Sequence, residues 1–248
     1  MVQKTIRSLI FTAALLIGVI ASQLTAIAGP PLICHPIEIG DAKSLPWGSS
    51  ADWRAVRPDY DLNRLVEDTL ALLTPEAPVL ARMETLRRAT IYAVWAKHDR
   101  EVGLKSKNDQ VADDLLARLM ARVRQSVGNN PSFTHALFDA GYLTACYRQA
   151  GYQSNNKSSD NSGYAMVRKS LEGYAMVRKA SVHQGGTPEM EFAAALITIS
   201  PQQTTHRAHL QKAIAGAKDD SLLARNLIKH FGKSGQKLAD LRAQIAVR

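Results

Sequence analysis

The residue spacing in this 248-residue chain that most invites chemistry is His206-Arg207-Ala208-His209. Imidazoles three residues apart share one face of a helix and could ligate a single divalent ion, with Glu189 or Glu191 of the preceding segment supplying a carboxylate. Two imidazoles fall short of a site, however, and Arg207 between them repels a cation. The pair therefore reads as surface histidines, and no metal is expected. His98 with Asp99 and Glu101 could exchange protons with a substrate, but the same residues make the charged end of a long helix. Cys34-His35 sets a thiol beside a base, yet adjacent residues of an extended segment point apart. The chain carries no G-x-S-x-G elbow, no P-loop, no G-x-G-x-x-G after a strand and no H-E-x-x-H. Without C-x-x-C or C-x-x-C-H it also lacks the usual thioredoxin-like, iron–sulfur and covalent-haem signatures. No cofactor is expected, and no catalytic residue can be assigned.

The two cysteines, Cys34 and Cys146, are the disulfide candidates, because an even count in an exported chain favours pairing. Closing so long a loop would stabilise the fold by roughly 4 to 5 kcal/mol in the chain-entropy account. The alternative is that Cys146, beside Leu143 and Tyr147 on an apolar helix face, is a small buried hydrophobe.

Export is read from residues 1–28. Lys4 and Arg7 precede an uncharged apolar run from Leu9 to Ile20, and Ala26-Ile27-Ala28 then forms an A-x-A cleavage site before Gly29. A cleaved signal peptide and a periplasmic or extracellular destination follow. The alternative is an anchor through uncleaved residues 8–28. No other stretch approaches the length of an apolar span, so no transmembrane segment is expected after cleavage.

Of the formal charge of +9, removal of residues 1–28 leaves +7. From Gly29 to Ser200 there are 20 Lys/Arg against 19 Asp/Glu, whereas residues 201–248 carry 9 against 3. Lys212, Lys218, Arg225, Lys229, Lys233, Lys237 and Arg242 are accordingly the candidates for contact with an anionic surface, less the effect of Asp219, Asp220 and Asp240. Nucleic acid is not expected as a partner, since this segment offers Phe231 alone for base stacking.

The elements that would position these residues are helical. Residues 29–60 hold Pro30, Pro31, Pro36, Pro46 and Pro58 and read as an irregular segment that either lies along the body or stays mobile. From Asp61 apolar residues recur at three and four positions. Leu62, Leu65, Val66, Thr69, Leu72 and Leu73 mark a first helix; Val79, Met83, Leu86, Thr90 and Ala93 a second. Val111, Leu115, Leu119 and Val123 mark a third, and Phe133, Leu137, Ala140, Leu143 and Tyr147 a fourth. Thr74-Pro75-Glu76, Asn130-Pro131 and Thr187-Pro188-Glu189 each place a capping side chain before a proline suited to a first helical position. An N-terminal helical group (61–152) is then separated by a polar loop (153–162) from a C-terminal helical group with the basic end (163–248). The latter opens with Gly163-Tyr164-Ala165-Met166-Val167-Arg168-Lys169, repeated as residues 173–179. Tyr164, Val167, Leu171, Tyr174 and Val177 would share one face, either of a single helix or of two short helices hinged at Gly173. Further helices are expected at 188–199, 204–218, 219–231 and 236–247, apart from the strand-like run Leu196 to Ile199.

The fold class is all-α: a helical bundle or stacked helix pairs, with about eight or nine helices after the irregular segment. Residues 143–152, Leu-Thr-Ala-Cys-Tyr-Arg-Gln-Ala-Gly-Tyr, resemble the first helix and turn of a tetratricopeptide repeat. Asn155 to Asn161 then stands where a second helix is due, and no 34-residue period recurs, so the family is not assigned.

Two functions fit this reading. One is an exported, non-enzymatic interaction or scaffold module of the cell envelope, whose basic C-terminal face meets an anionic envelope surface or an acidic protein partner. The other is an exported enzyme acting on envelope material through residues scattered in sequence. A pocket holding a carboxylate of raised pKa favours the enzyme; a shallow apolar groove favours the module.

Overall fold

The computed structural model describes residues 30–49, 53–95, 108–126, 131–152, 163–183, 187–199 and 203–246; residues 1–28, expected as a signal peptide, the polar loop 153–162 and His98, Asp99 and Glu101 lie outside them. Every regular element among the described residues is helical, with no strand. In order these are α1 (Pro31–Cys34), a 3-10 turn (Leu62–Arg64), α2 (Leu65–Leu72), α3 (Val79–Trp95), α4 (Asn108–Gln125) and α5 (Pro131–Gln149). There follow α6 (Gly163–His183), α7 (Pro188–Ile197), α8 (Gln203–Gly216), α9 (Leu222–Phe231) and α10 (Leu238–Ala246).

Local chemistry sets several boundaries. Thr187 accepts the Met190 N–H at 3.3 Å and Pro188 opens α7, as the sequence predicts. Two starts differ. Thr74-Pro75-Glu76 forms a turn closed by Ala77 N–H on the Thr74 carbonyl at 3.1 Å, and α3 begins only at Val79. The start expected at Asp219 falls instead at Ser221, which accepts the Ala224 N–H at 3.1 Å after a turn in which Asp220 adopts φ 62°. The strand-like Leu196 to Ile199 run belongs to the last turn of α7 and the residues after it.

Helix α5 lies at the centre and is buried from Ala136 to Tyr147 except at Thr144. Its closest neighbour is α6, which runs antiparallel to it: Phe133 meets His183 at one end, and Gly141 meets Gly173 midway. A Cβ on Gly141 would stand 2.7 Å from the Met176 Cβ and 2.8 Å from the Gly173 carbonyl oxygen. Paired glycines thus let the two backbones touch. This is why Gly173 is no hinge: α6 continues through it, and the glycine is required by the crossing rather than by a bend. Val177 is buried beside this crossing and Tyr174 is half-buried, whereas the side chains of Tyr164, Val167 and Leu171 lie outside the described residues.

One apolar core runs through both helical groups, from Leu32 and Leu65 to Leu227 and Leu241. Helix α3 is buried so completely that it carries charges into that core: Arg82, Glu84 and Arg87 are all 1% exposed or less. Those charges dock the irregular N-terminal segment, which lies along the body as a strap. Leu32, Ile33, Ile37 and Leu45 are buried. Glu84 accepts the Ile37 N–H at 2.9 Å, Arg87 donates to the Ile33 carbonyl at 2.8 Å, and Arg88 donates to the Leu45 carbonyl at 2.5 Å. Farther on, Tyr92 donates to the Pro46 carbonyl at 2.7 Å. Asn226 of α9 takes the Glu38 N–H and gives to the Glu38 carbonyl, both at 2.8 Å, in the manner of a strand partner. A proline-rich segment satisfies only part of its own backbone, through short turns such as Cys34 N–H on the Pro30 carbonyl, and side chains of the helices supply further partners.

Candidate functional site

The histidine pair is not at the surface. His209 is buried and His206 half-buried, because the alanine run Ala193 to Ala195 of α7 and the contact of Pro188 with Gly216 bring α7 and α8 close together. The two imidazoles also serve different partners. His206 Nδ1 lies 2.9 Å from the Ala195 carbonyl oxygen, and burial pushes its pKa down. His209 Nδ1 lies 2.5 Å from Glu191 Oε2, and its Nε2 lies 2.7 Å from the Tyr174 hydroxyl. Ser181 donates to the other Glu191 oxygen at 3.0 Å, with Lys212 Nζ 3.8 Å away. In the tautomer whose Nδ1–H donates to Glu191, a neutral imidazole accepts the Tyr174 hydroxyl at Nε2. Glu191 and His209 therefore meet, as hydrogen-bonded partners. Among the described residues no group of three or more metal-ligating side chains occurs.

The expected Cys34–Cys146 disulfide is absent; both are free thiols. Cys146 is buried on the apolar face of α5, and burial raises its pKa far above the ordinary thiol value despite the Arg87 charge. Cys34, less enclosed, is raised more modestly by burial against Arg87 and Arg54. His35 of the strap meets His230 of α9 edge to face at 5.6 Å. Burial first, and His35 second, push His230 down to about 3.

At the basic end the apolar stripe and the cations separate. Leu210, Ile214, Leu223, Leu227, Leu238 and Leu241 are buried, with Ile245 half-buried, whereas Lys212, Lys218, Arg225, Lys229, Lys233 and Lys237 are exposed and Arg242 is partly so. Four of the seven face carboxylates. Arg225 and Lys229 lie 3.2 and 3.7 Å from Glu38 of the strap, Arg242 lies 2.9 Å from Asp219, and Lys212 faces Glu191. Lys218, Lys233 and Lys237 make no ion pair among the described residues.

A cleft that no sequence motif marks opens between the end of α2, the turn before α3, the end of α4 and the start of α5. Its volume is about 460 Å³, and Arg82, Arg122, Gln125, Ser132, His135 and Asp139 line it. The volume falls within the range of small-molecule sites. At its base Arg82 donates to Asp139 Oδ2 at 2.7 Å, with side chains 1% and 2% exposed. Arg82 also gives to the Ala77 carbonyl at 3.0 Å and to the Thr74 carbonyl. Among the described residues Asp139 Oδ1 has no hydrogen-bond partner. Desolvation raises the Asp139 carboxyl to about 6 against the opposing charges of Arg82 and Arg122. His135, one turn earlier on α5, is pushed down to about 4 by burial and by Arg82, while the exposed Glu76 acts the other way. Arg122 donates to the Leu70 carbonyl at 3.0 Å and the Leu73 carbonyl at 3.3 Å, which caps α2. These residues come from three helices and a turn, so only the raised carboxyl and its unpaired oxygen mark the place. No protein family, curated protein or solved structure matches this chain.

Proposed function

We propose that the protein is an exported, non-enzymatic helical module that rests through α8, α9 and α10 on an anionic envelope surface. The observation that carries this is the separation at the basic end: the apolar stripe is turned inward, and Lys218, Lys233 and Lys237 stand exposed, without a carboxylate partner among the described residues. Each cation near an anionic bilayer contributes about 1 kcal/mol, so three give weak, salt-sensitive adsorption. Among the described residues no helix is long and apolar enough to cross a membrane, so adsorption rather than insertion is the mode considered for them.

Sedimentation with phosphatidylglycerol and phosphatidylcholine vesicles tests the reading. Binding to the anionic vesicles at low salt, released at high salt and reduced by Lys218→Glu/Lys233→Glu/Lys237→Glu, supports it. Equal binding to both lipids, or none to the anionic one at low salt, removes it. An acidic protein is then the remaining partner for this face.

A second reading, an exported enzyme, is favoured by one observation: the buried Asp139 carboxyl, raised to about 6, lines a polar cleft. A carboxyl that titrates near neutrality can act as a general acid or base.

A further inference from the structure

The cleft between α2, α4 and α5 presents two unmet demands. Among the described residues Asp139 Oδ1 is a buried acceptor without a donor, on a side chain 2% exposed that lines the cavity. Burying a carboxylate oxygen unpaired costs free energy, and a ligand donor at that point recovers it. Arg82 on the other oxygen and the nearby Arg122 already supply positive charge to this carboxylate, so the donor need carry none, and a neutral hydroxyl meets the need.

The second demand is at Arg122. It makes no ion pair among the described residues and places only two of its five N–H donors, both on neutral carbonyls. Arg122 lies near enough to Asp139 for its charge to act on that carboxyl. The first turn of α5 reaches the same cleft at Ser132, where the positive end of the helix dipole adds to the attraction for an anion. Gln125, Ser132 and His135 supply further hydrogen-bonding groups along the wall.

We propose that this cleft binds a small anionic polyol, a sugar acid or sugar phosphate, with a ligand hydroxyl donating to Asp139 Oδ1 and the anionic group received by Arg122. Such a ligand brings both the acceptor and the donor, and a cavity of about 460 Å³ admits a molecule of that size. The site is separate from the basic end and does not depend on the surface-binding reading.

Calorimetric titration of the full chain with glucuronate, glucose 6-phosphate, glucose and acetate tests it. Glucuronate or glucose 6-phosphate binds with Kd of about 1 mM or tighter, and the stronger of the two identifies the anionic group. Glucose, lacking the anion, and acetate, lacking the hydroxyls, bind at least about tenfold more weakly. Arg122→Gln, at the rim, weakens the bound sugar about tenfold and leaves the circular dichroism spectrum unchanged. Asp139→Asn weakens it similarly, and the His135 ring resonances shift on titration of the wild type, which locates the ligand even where Asp139→Asn folds poorly. Absence of binding by both anionic sugars overturns the proposal. So does equal binding of glucose or acetate, or binding that Arg122→Gln leaves untouched with no change at His135.

Discussion

Substitution of Glu84 probes the attachment of the strap to the helical body most directly. Glu84 is fully buried and its two oxygens accept four hydrogen bonds: Ile37 N–H at 2.9 Å, Arg87 Nε at 2.8 Å, a terminal Arg87 nitrogen at 3.0 Å and Arg88 Nε at 2.7 Å. Glu84→Gln conserves volume but replaces one acceptor oxygen with an NH2 donor, which must then face other donors. It also leaves Arg87, 0% exposed, without its counter-charge. Breaking a buried ion pair by removing one partner costs about 3 to 5 kcal/mol. For a domain of this size each kcal/mol lowers Tm by about 2 to 4 °C, so the variant is expected to melt at least about 6 °C lower. Thermal and urea unfolding followed by circular dichroism measure the loss, and limited proteolysis reports whether residues 36–46 open first. A loss below about 1 kcal/mol, the value of a surface pair, with no added cleavage in the strap, would refute the reasoning. It would mean that solvent reaches Arg87 and that the strap is held by its apolar residues alone.

Other outcomes follow from the same contacts. Gly141→Ala puts a methyl 2.7 Å from the Met176 Cβ and is expected to destabilise by about 1 to 3 kcal/mol, with Gly173→Ala alike in urea melts. His230, held down to about 3, takes up a proton on unfolding below its ordinary value of 6.5, so stability falls as pH drops through that range. Asp139, raised from 3.8 to about 6, acts oppositely, favouring the folded state as pH drops from 6 toward 4. Urea midpoints recorded across that window should therefore fall more steeply with acid in Asp139→Asn than in the wild type, by up to about 1.4 kcal/mol per pH unit. Iodoacetamide in denaturant without reductant should label both cysteines; in the native state Cys146 should stay unlabelled, and a protected pair in denaturant would restore the disulfide.

The helices themselves are legible in the sequence, because a 3.6-residue apolar period and a capping side chain are local properties that any core must respect. Met83, Leu86, Thr90 and Ala93, Leu115 and Leu119, and Leu137, Ala140, Leu143 and Tyr147 are all buried where the period puts them. The division of α8 to α10 into an inward stripe and outward cations is legible for the same reason. What the period cannot reveal is which polar faces are covered as well. Arg82, Glu84 and Arg87 have the spacing of ordinary solvated charges; only the strap and α5, distant in sequence, enclose them. The Gly173 crossing, the meeting of Glu191 with His209 and the Asp139 cleft likewise depend on segments folded onto one another. Burial energies of charges and the space left between helices are set by neighbours many residues away, so tertiary structure alone decided them.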